Sequence, residues 1–269
     1  TTTTKREIIK MEQKHFVLVH GLCHGAWCWY KLKLLIELAG HRVTALDLSA
    51  SGINLKTLDE VRTLYDYTLP LLEFMASLTP NEKVILVGHS LGGMNLALAM
   101  DKYPEKVSVA VFLAAFLPDT THKPSYVLDH FWESATAESW MDTQISTYGS
   151  PNKPLTSILL GPKFLATNLY QLCPPEDLEL ATLLVRVGSF FREDLAKEKK
   201  FSDEGYGSVT RVYVAFNEDK AITEALWSWM LANFPVEELK KIEGADHMGM
   251  MSKPQETCQC LLEIAQKYT

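Results

Sequence analysis

No stretch of this sequence stays apolar for the roughly 20 residues that a membrane helix requires, so a helical membrane span is not expected. No basic tract is present and the formal net charge is -7, which argues against nucleic acid as a partner. Residues 1–13 are polar and lack the apolar centre of a secretory signal. Met11 reads as a natural start, and residues 1–13 as a flexible extension. The five cysteines (Cys23, Cys28, Cys173, Cys258 and Cys260) follow no metal-ligand spacing, and an odd number cannot all pair. A reducing compartment, by default the cytosol, is therefore expected. Dinucleotide fingerprints, phosphate loops and zinc-binding helices are all missing, so neither cofactor nor metal is expected. Internal repeats are absent too, and low complexity is confined to Thr1–Thr4.

What the chain does contain is 269 residues with 47% hydrophobic content, enough for one α/β domain carrying an insertion. Short apolar runs at 16–19, 43–46, 84–87, 109–113 and 212–216 read as strands buried on both faces, with Ile242 on a shorter last strand. Helical patterns lie between them at 29–39, 58–78, 94–102, 222–233 and 254–267. This alternation implies a mostly parallel sheet covered by helices on both faces. The rhythm breaks over 118–204, which is rich in proline, aromatics and short helical patterns such as 175–185 and shows no clear buried strand. Residues 14–117 and 205–269 are therefore expected to form the core, and 118–204 an inserted cap.

Gly88-His89-Ser90-Leu91-Gly92 follows an apolar strand and precedes a helical stretch. That is the context in which G-x-S-x-G forms a nucleophile elbow, with the serine exposed at the carboxyl end of the strand. A serine hydroxyl is a poor nucleophile at neutral pH and needs a base, which needs an orienting acid. In this chain order the acid comes next and the histidine last. His247 is the only histidine after His130, and it follows the last expected strand. Asp219 sits in the short loop after the strand at 212–216, at the sheet's carboxyl end where functional groups gather. Glu218 is its nearest rival, and Asp246 is a weaker one because a residue adjacent to the imidazole rarely reaches back to it. A tetrahedral intermediate needs two backbone donors, for which the amides of Leu91 and Leu22 are candidates. Aromatic and methionine residues between 131 and 191 (Phe131, Trp132, Trp140, Met141, Phe164, Phe190, Phe191) are positioned to build an apolar pocket or simply to fill a core.

These residues resemble the plant methylesterase and hydroxynitrile lyase group of α/β-hydrolases. The likeness rests on HFVLVHG at 15–21, HGAWCWYKLK at 24–33, VTALDLSASG at 43–52, VILVGHSLGGMN at 84–95 and GADHMGM at 244–250. YGSPNKPLTS at 148–157 and LYQLCPPEDLELA at 169–181 match as well. The resemblance implies an α/β-hydrolase fold and a cofactor-free cytosolic enzyme with a Ser90, His247 and Asp219 triad. It also implies an oxyanion hole at Leu22 and Leu91, a pocket under the cap, and a homodimer in many relatives. Gly21, His89, Phe116, Trp140 and Met248 are the substrate contacts that follow from it.

The leading expectation is a methylesterase acting through an acyl-enzyme on a small plant metabolite. That metabolite is either a hormone ester (salicylate, jasmonate or indole-acetate) or an alkaloid ester whose acid then loses carbon dioxide. A hydroxynitrile lyase is the first alternative. Lyases of the group place lysine after the histidine, threonine in the first loop and glutamate before the serine, where this chain has Met248, Gly21 and His89. A hormone- or product-binding receptor is the second alternative, disfavoured because all three triad residues are present.

Overall fold

The computed structural model describes residues 12–269; the expected N-terminal extension lies outside the described residues except for Glu12 and Gln13. The chain forms β1 (His15–Val19), α1 (Tyr30–Leu38), β2 (Arg42–Leu46), α2 (Leu64–Ser77), β3 (Val84–Ser90), α3 (Gly92–Lys102) and β4 (Val107–Ala115). After a long excursion it returns as β7 (Arg211–Phe216), α6 (Glu224–Asn233), β8 (Glu238–Ile242) and α7 (Pro254–Tyr268). The excursion holds α4 (Tyr126–Ser134), β5 (Gln144–Ser150), β6 (Lys153–Leu159) and α5 (Pro175–Leu184).

Six parallel strands make one sheet in the order β2-β1-β3-β4-β7-β8. The central strands β1 and β4 are apolar and almost wholly buried, as expected of strands covered on both sides. β8 lies at an edge and alternates exposed with half-buried residues. From β1 the chain moves outward to β2; from β3 it moves the other way to β4. Right-handed crossovers then put α1 and α3 on opposite faces. The chain reverses direction between β1 and β3, so the loops after these two strands face each other across a crevice at the sheet's carboxyl edge.

The elements differ from the expected ones in two instructive places. The helix expected over 58–78 is split: a short 3-10 turn at Leu58–Glu60 precedes α2, which starts where the Thr63 hydroxyl accepts the Asp66 amide. The excursion also contains an antiparallel hairpin, β5 with β6, that the sequence pattern did not reveal. Most of β5 is exposed, so it carries none of the apolar signal by which a buried strand is read.

Several side chains tie the excursion to the core. The Arg186 guanidinium donates to the carbonyls of Gly52 and Asn54 at 3.0 and 2.7 Å. Buried Asp177 of α5 accepts from the Tyr30 hydroxyl at 2.6 Å and pairs with Lys31. No helix among the described residues is long and apolar enough to cross a membrane.

Candidate active site

Ser90 ends β3 at φ 54°, a left-handed conformation that costs a non-glycine residue about 1–3 kcal/mol. The surrounding backbone over-determines it: the Phe116 amide donates to the Ser90 carbonyl at 3.0 Å, and β3 slips register against β4 at His89/Ser90. Gly93 lets the following helix approach the end of β4, because a Cβ there would lie 2.0 Å from the Phe116 carbonyl oxygen. The sharp turn leaves Ser90 partly exposed while Leu91 behind it is fully buried.

His247 follows β8 and is 3% exposed. Its Nδ1 lies 2.8 Å from Asp219 Oδ2. The carboxylate can only accept, so Nδ1 carries the hydrogen and the Nε2 lone pair is free. The other oxygen, Asp219 Oδ1, accepts the amides of Ala221 and Ile222 at 2.7 and 2.9 Å, which fixes the carboxylate plane. The rivals do other work. Glu218 is exposed, and its carbonyl accepts from the Gln171 side chain. Asp246 is wholly buried and accepts the amides of Leu172 and Met248 and the Ser252 hydroxyl at 2.8, 3.0 and 2.8 Å. It thus joins the loop carrying His247 to the excursion.

Ser90 and His247 line one cavity, together with Gly21, Leu22, His24, His89 and Phe116 from the core. Phe131, Trp140, Leu160, Phe164, Leu169 and Phe190 cover it from the excursion. No hydrogen bond joins the Ser90 hydroxyl to the imidazole; such contacts often form only around a bound substrate. The cavity volume is about 40 Å³. Its wall is mostly apolar, and its polar side chains are Ser90 and three histidines, with no lysine or arginine. Trp132, Met141 and Phe191 lie outside the wall.

Of the five residues read from the resemblance as substrate contacts, Gly21, His89, Phe116 and Trp140 border the cavity. Met248 does not. Its amide is tied to Asp246, and its side chain is fully buried in the core. His89 Nε2 donates to the His247 carbonyl at 2.7 Å, so His89 also steadies the loop that carries the imidazole. Gly21 is hemmed in: a Cβ there would meet Ser90 Cβ at 2.8 Å.

The loop after β1 brings the Leu22 amide opposite the elbow. Neither the Leu22 nor the Leu91 amide finds an acceptor among the described residues. Sequence reasoning did not single out His24, which borders the cavity and is 3% exposed. Its Nδ1 donates to the Leu22 carbonyl at 2.8 Å, its Nε2 accepts the Tyr170 hydroxyl at 2.7 Å, and burial lowers its pKa to about 4. The signal available was its place four residues beyond His20, in the same loop.

A free imidazole lone pair, a strained exposed serine and two unpaired amides beside an apolar cavity are the parts needed to activate a hydroxyl and stabilise an oxyanion. Comparisons with known proteins show the family. Residues 14–254 match the model of the alpha/beta hydrolase fold family. Salicylic acid-binding protein 2 of Nicotiana tabacum is 62% identical over 257 residues, covering 96% of this chain and 99% of that protein. Polyneuridine aldehyde esterase of Rauvolfia serpentina is 55% identical over 254 residues, covering 94% and 96%. A crystal structure of polyneuridine aldehyde esterase superposes with a TM-score of 0.92 at 55% identity, over 94% of this chain and 100% of that one. The chain belongs to the α/β-hydrolase family and, within it, to the plant methylesterase branch of carboxylic ester hydrolases.

Proposed function

We propose that this enzyme hydrolyses the methyl ester of a small, mainly apolar acid of the salicylate type, in the cytosol and without a cofactor. Ser90 attacks the ester carbonyl while His247 Nε2 takes its proton. Asp219 holds the imidazole in the required tautomer and stabilises its charged form. The amides of Leu22 and Leu91 receive the oxyanion. His247 then protonates the departing methanol, and a water activated by the same ring releases the acid from Ser90. The segment 118–204 acts as the cap that closes the acid pocket.

The observation that carries this reading is the 2.8 Å contact between Asp219 and His247, whose ring lines the same cavity as the strained Ser90. The acid portion follows from the lining. Five aromatic side chains and no cation favour an uncharged ring over a second carboxylate. The high identity to a salicylic acid-binding protein supports the same size class. A cyanohydrin-cleaving role is disfavoured, because departing cyanide would meet no ammonium or guanidinium in this cavity.

The test is a panel of methyl salicylate, methyl jasmonate, methyl indole-acetate and an alkaloid methyl ester, each with wild type and Ser90→Ala. Methyl salicylate is expected to be preferred by about 100-fold or more over the alkaloid ester, since poor fit of even one methylene is worth 10–200-fold. Turnover of any of these esters by Ser90→Ala at near wild-type rate would end the acyl-enzyme reading. A preference for the alkaloid ester would end the size argument alone.

A further inference from the structure

The loop between β1 and α1 holds two buried histidines that the mechanism above does not use. His20 Nε2 accepts the Leu48 amide at 3.1 Å, which forces the hydrogen onto Nδ1, and Nδ1 donates to the Gly21 carbonyl at 2.9 Å. In a trans peptide the carbonyl and the following amide point in opposite directions. Pinning the Gly21 carbonyl therefore also pins the Leu22 amide. The Leu22 carbonyl is held in turn by His24 Nδ1 at 2.8 Å. Next along the chain, the Cys23 carbonyl accepts the Arg186 amide at 2.9 Å, and Cys23 sits at φ 64°. Each carbonyl of the turn thus has a donor, while the Leu22 amide has no acceptor among the described residues.

The His24 ring can donate from Nδ1 only in one neutral tautomer. That tautomer is selected from across the molecule. Tyr170, in the 118–204 segment, donates its hydroxyl to His24 Nε2 at 2.7 Å, and the two rings stack at 5.9 Å with a 10° interplanar angle. Trp27 stacks on His24 as well, at 5.2 Å and 23°. His24, held between these two rings, itself lines the cavity in which Ser90 stands.

We propose that His24 is a positioning residue of the oxyanion hole, and that Tyr170 of the cap sets its tautomer, so that cap docking and assembly of the Leu22 donor are one event. The inference rests on the esterase reading and specifies what the cap contributes to it beyond covering the pocket. Catalytic donors must be held close to the oxyanion's position, and a displacement of about 1 Å can cost on the order of 100-fold.

The experiment compares His24→Ala, His24→Asn, Tyr170→Phe and the double variant His24→Asn/Tyr170→Phe in the full chain. The asparagine amide nitrogen replaces Nδ1 as the donor to Leu22 but offers Tyr170 no equivalent acceptor. Three readouts are taken: kcat and KM on methyl salicylate, affinity for salicylate, and affinity for 2,2,2-trifluoroacetophenone, whose adduct with a serine mimics the tetrahedral intermediate. His24→Ala is expected to lower kcat by about 100-fold and Tyr170→Phe by about 10-fold, with salicylate affinity within about twofold. Affinity for the trifluoromethyl ketone should fall in step with kcat. His24→Asn should recover most of the loss, and adding Tyr170→Phe to it should change nothing more. Folded His24→Ala or Tyr170→Phe with unaltered kcat would overturn the proposal while leaving ester hydrolysis standing. Equal losses of ketone and salicylate affinity would also overturn it, since they mark a loosened pocket instead of a misplaced donor. Inactivity of wild type on every ester would fail the esterase reading itself.

Discussion

Replacing Asp219 by asparagine should abolish turnover while leaving the fold intact, and the local hydrogen bonds say why. Oδ1 accepts two amides, from Ala221 and Ile222, and Oδ2 accepts the imidazole Nδ1 hydrogen. An asparagine keeps its carbonyl oxygen facing the two amides, because an amino group there would set donor against donors. Its amino group must then face His247. That reverses the hydrogen bond and moves the imidazole hydrogen to Nε2, where the proton of Ser90 should arrive. The comparable substitution in other Ser-His-Asp enzymes costs about 10⁴-fold, or about 5 kcal/mol of barrier. Asp219→Ala is expected to be similarly inactive but less stable, since it strips the acceptor from two backbone amides at about 1–3 kcal/mol each. Methanol release from methyl salicylate and urea denaturation of both variants separate the two effects. Should Asp219→Asn keep more than a tenth of wild-type kcat, the tautomer argument is wrong.

Gly93→Ala is expected to destabilise by about 3 kcal/mol or more, because its Cβ would press on backbone instead of a movable side chain; a denaturation midpoint equal to wild type would contradict the packing. Stability should also fall on acidification. Burial lowers the pKa of His24 from 6.5 to about 4 and lowers those of His20 and His89 in the same direction. The unfolded chain takes up protons below 6.5 while the native His24 ring stays neutral, so its contribution is full above that pH and is lost towards pH 4. His24 alone accounts for about 2 kcal/mol at pH 5, and urea midpoints at pH 7.5 and 5 measure it; equal midpoints would refute the assignment. Asp246→Ala strands the Leu172 and Met248 amides and should cost about 2–6 kcal/mol from the two donors together. Faster backbone hydrogen exchange at 170–173 and 246–248 should accompany that loss, and unchanged protection would show that Asp246 does not join the two segments.

The sheet was legible because its central strands are short, apolar on both faces and separated by helical periods. The elbow was legible because its glycines sit where packed backbone leaves no room for a Cβ. Pairing of Asp219 with His247 followed from chain order and from the loop position at the carboxyl edge. The β5–β6 hairpin stayed hidden, since an exposed two-stranded ribbon needs no apolar alternation and β5 has little. Met248, a contact expected from the resemblance, does not line the cavity: its amide donates to Asp246 and its side chain is buried in the core. His24 went unread because its partners, Leu22 and Tyr170, are separated by 148 positions, and no local pattern joins them.

One consequence follows from the size of the chamber at Ser90. A dry cavity of about 150 Å³ is what holds a benzene ring, and this one measures about 40 Å³. The unfilled space is thus smaller than a benzene ring needs, and its walls are heavy rings that interlock, as where Trp140 stacks on Phe164. A guest of that size is accommodated only if some of those rings give way. Seating a ring-bearing ester should therefore call on that motion, and thickening the solvent is expected to slow the steady rate of methyl salicylate turnover.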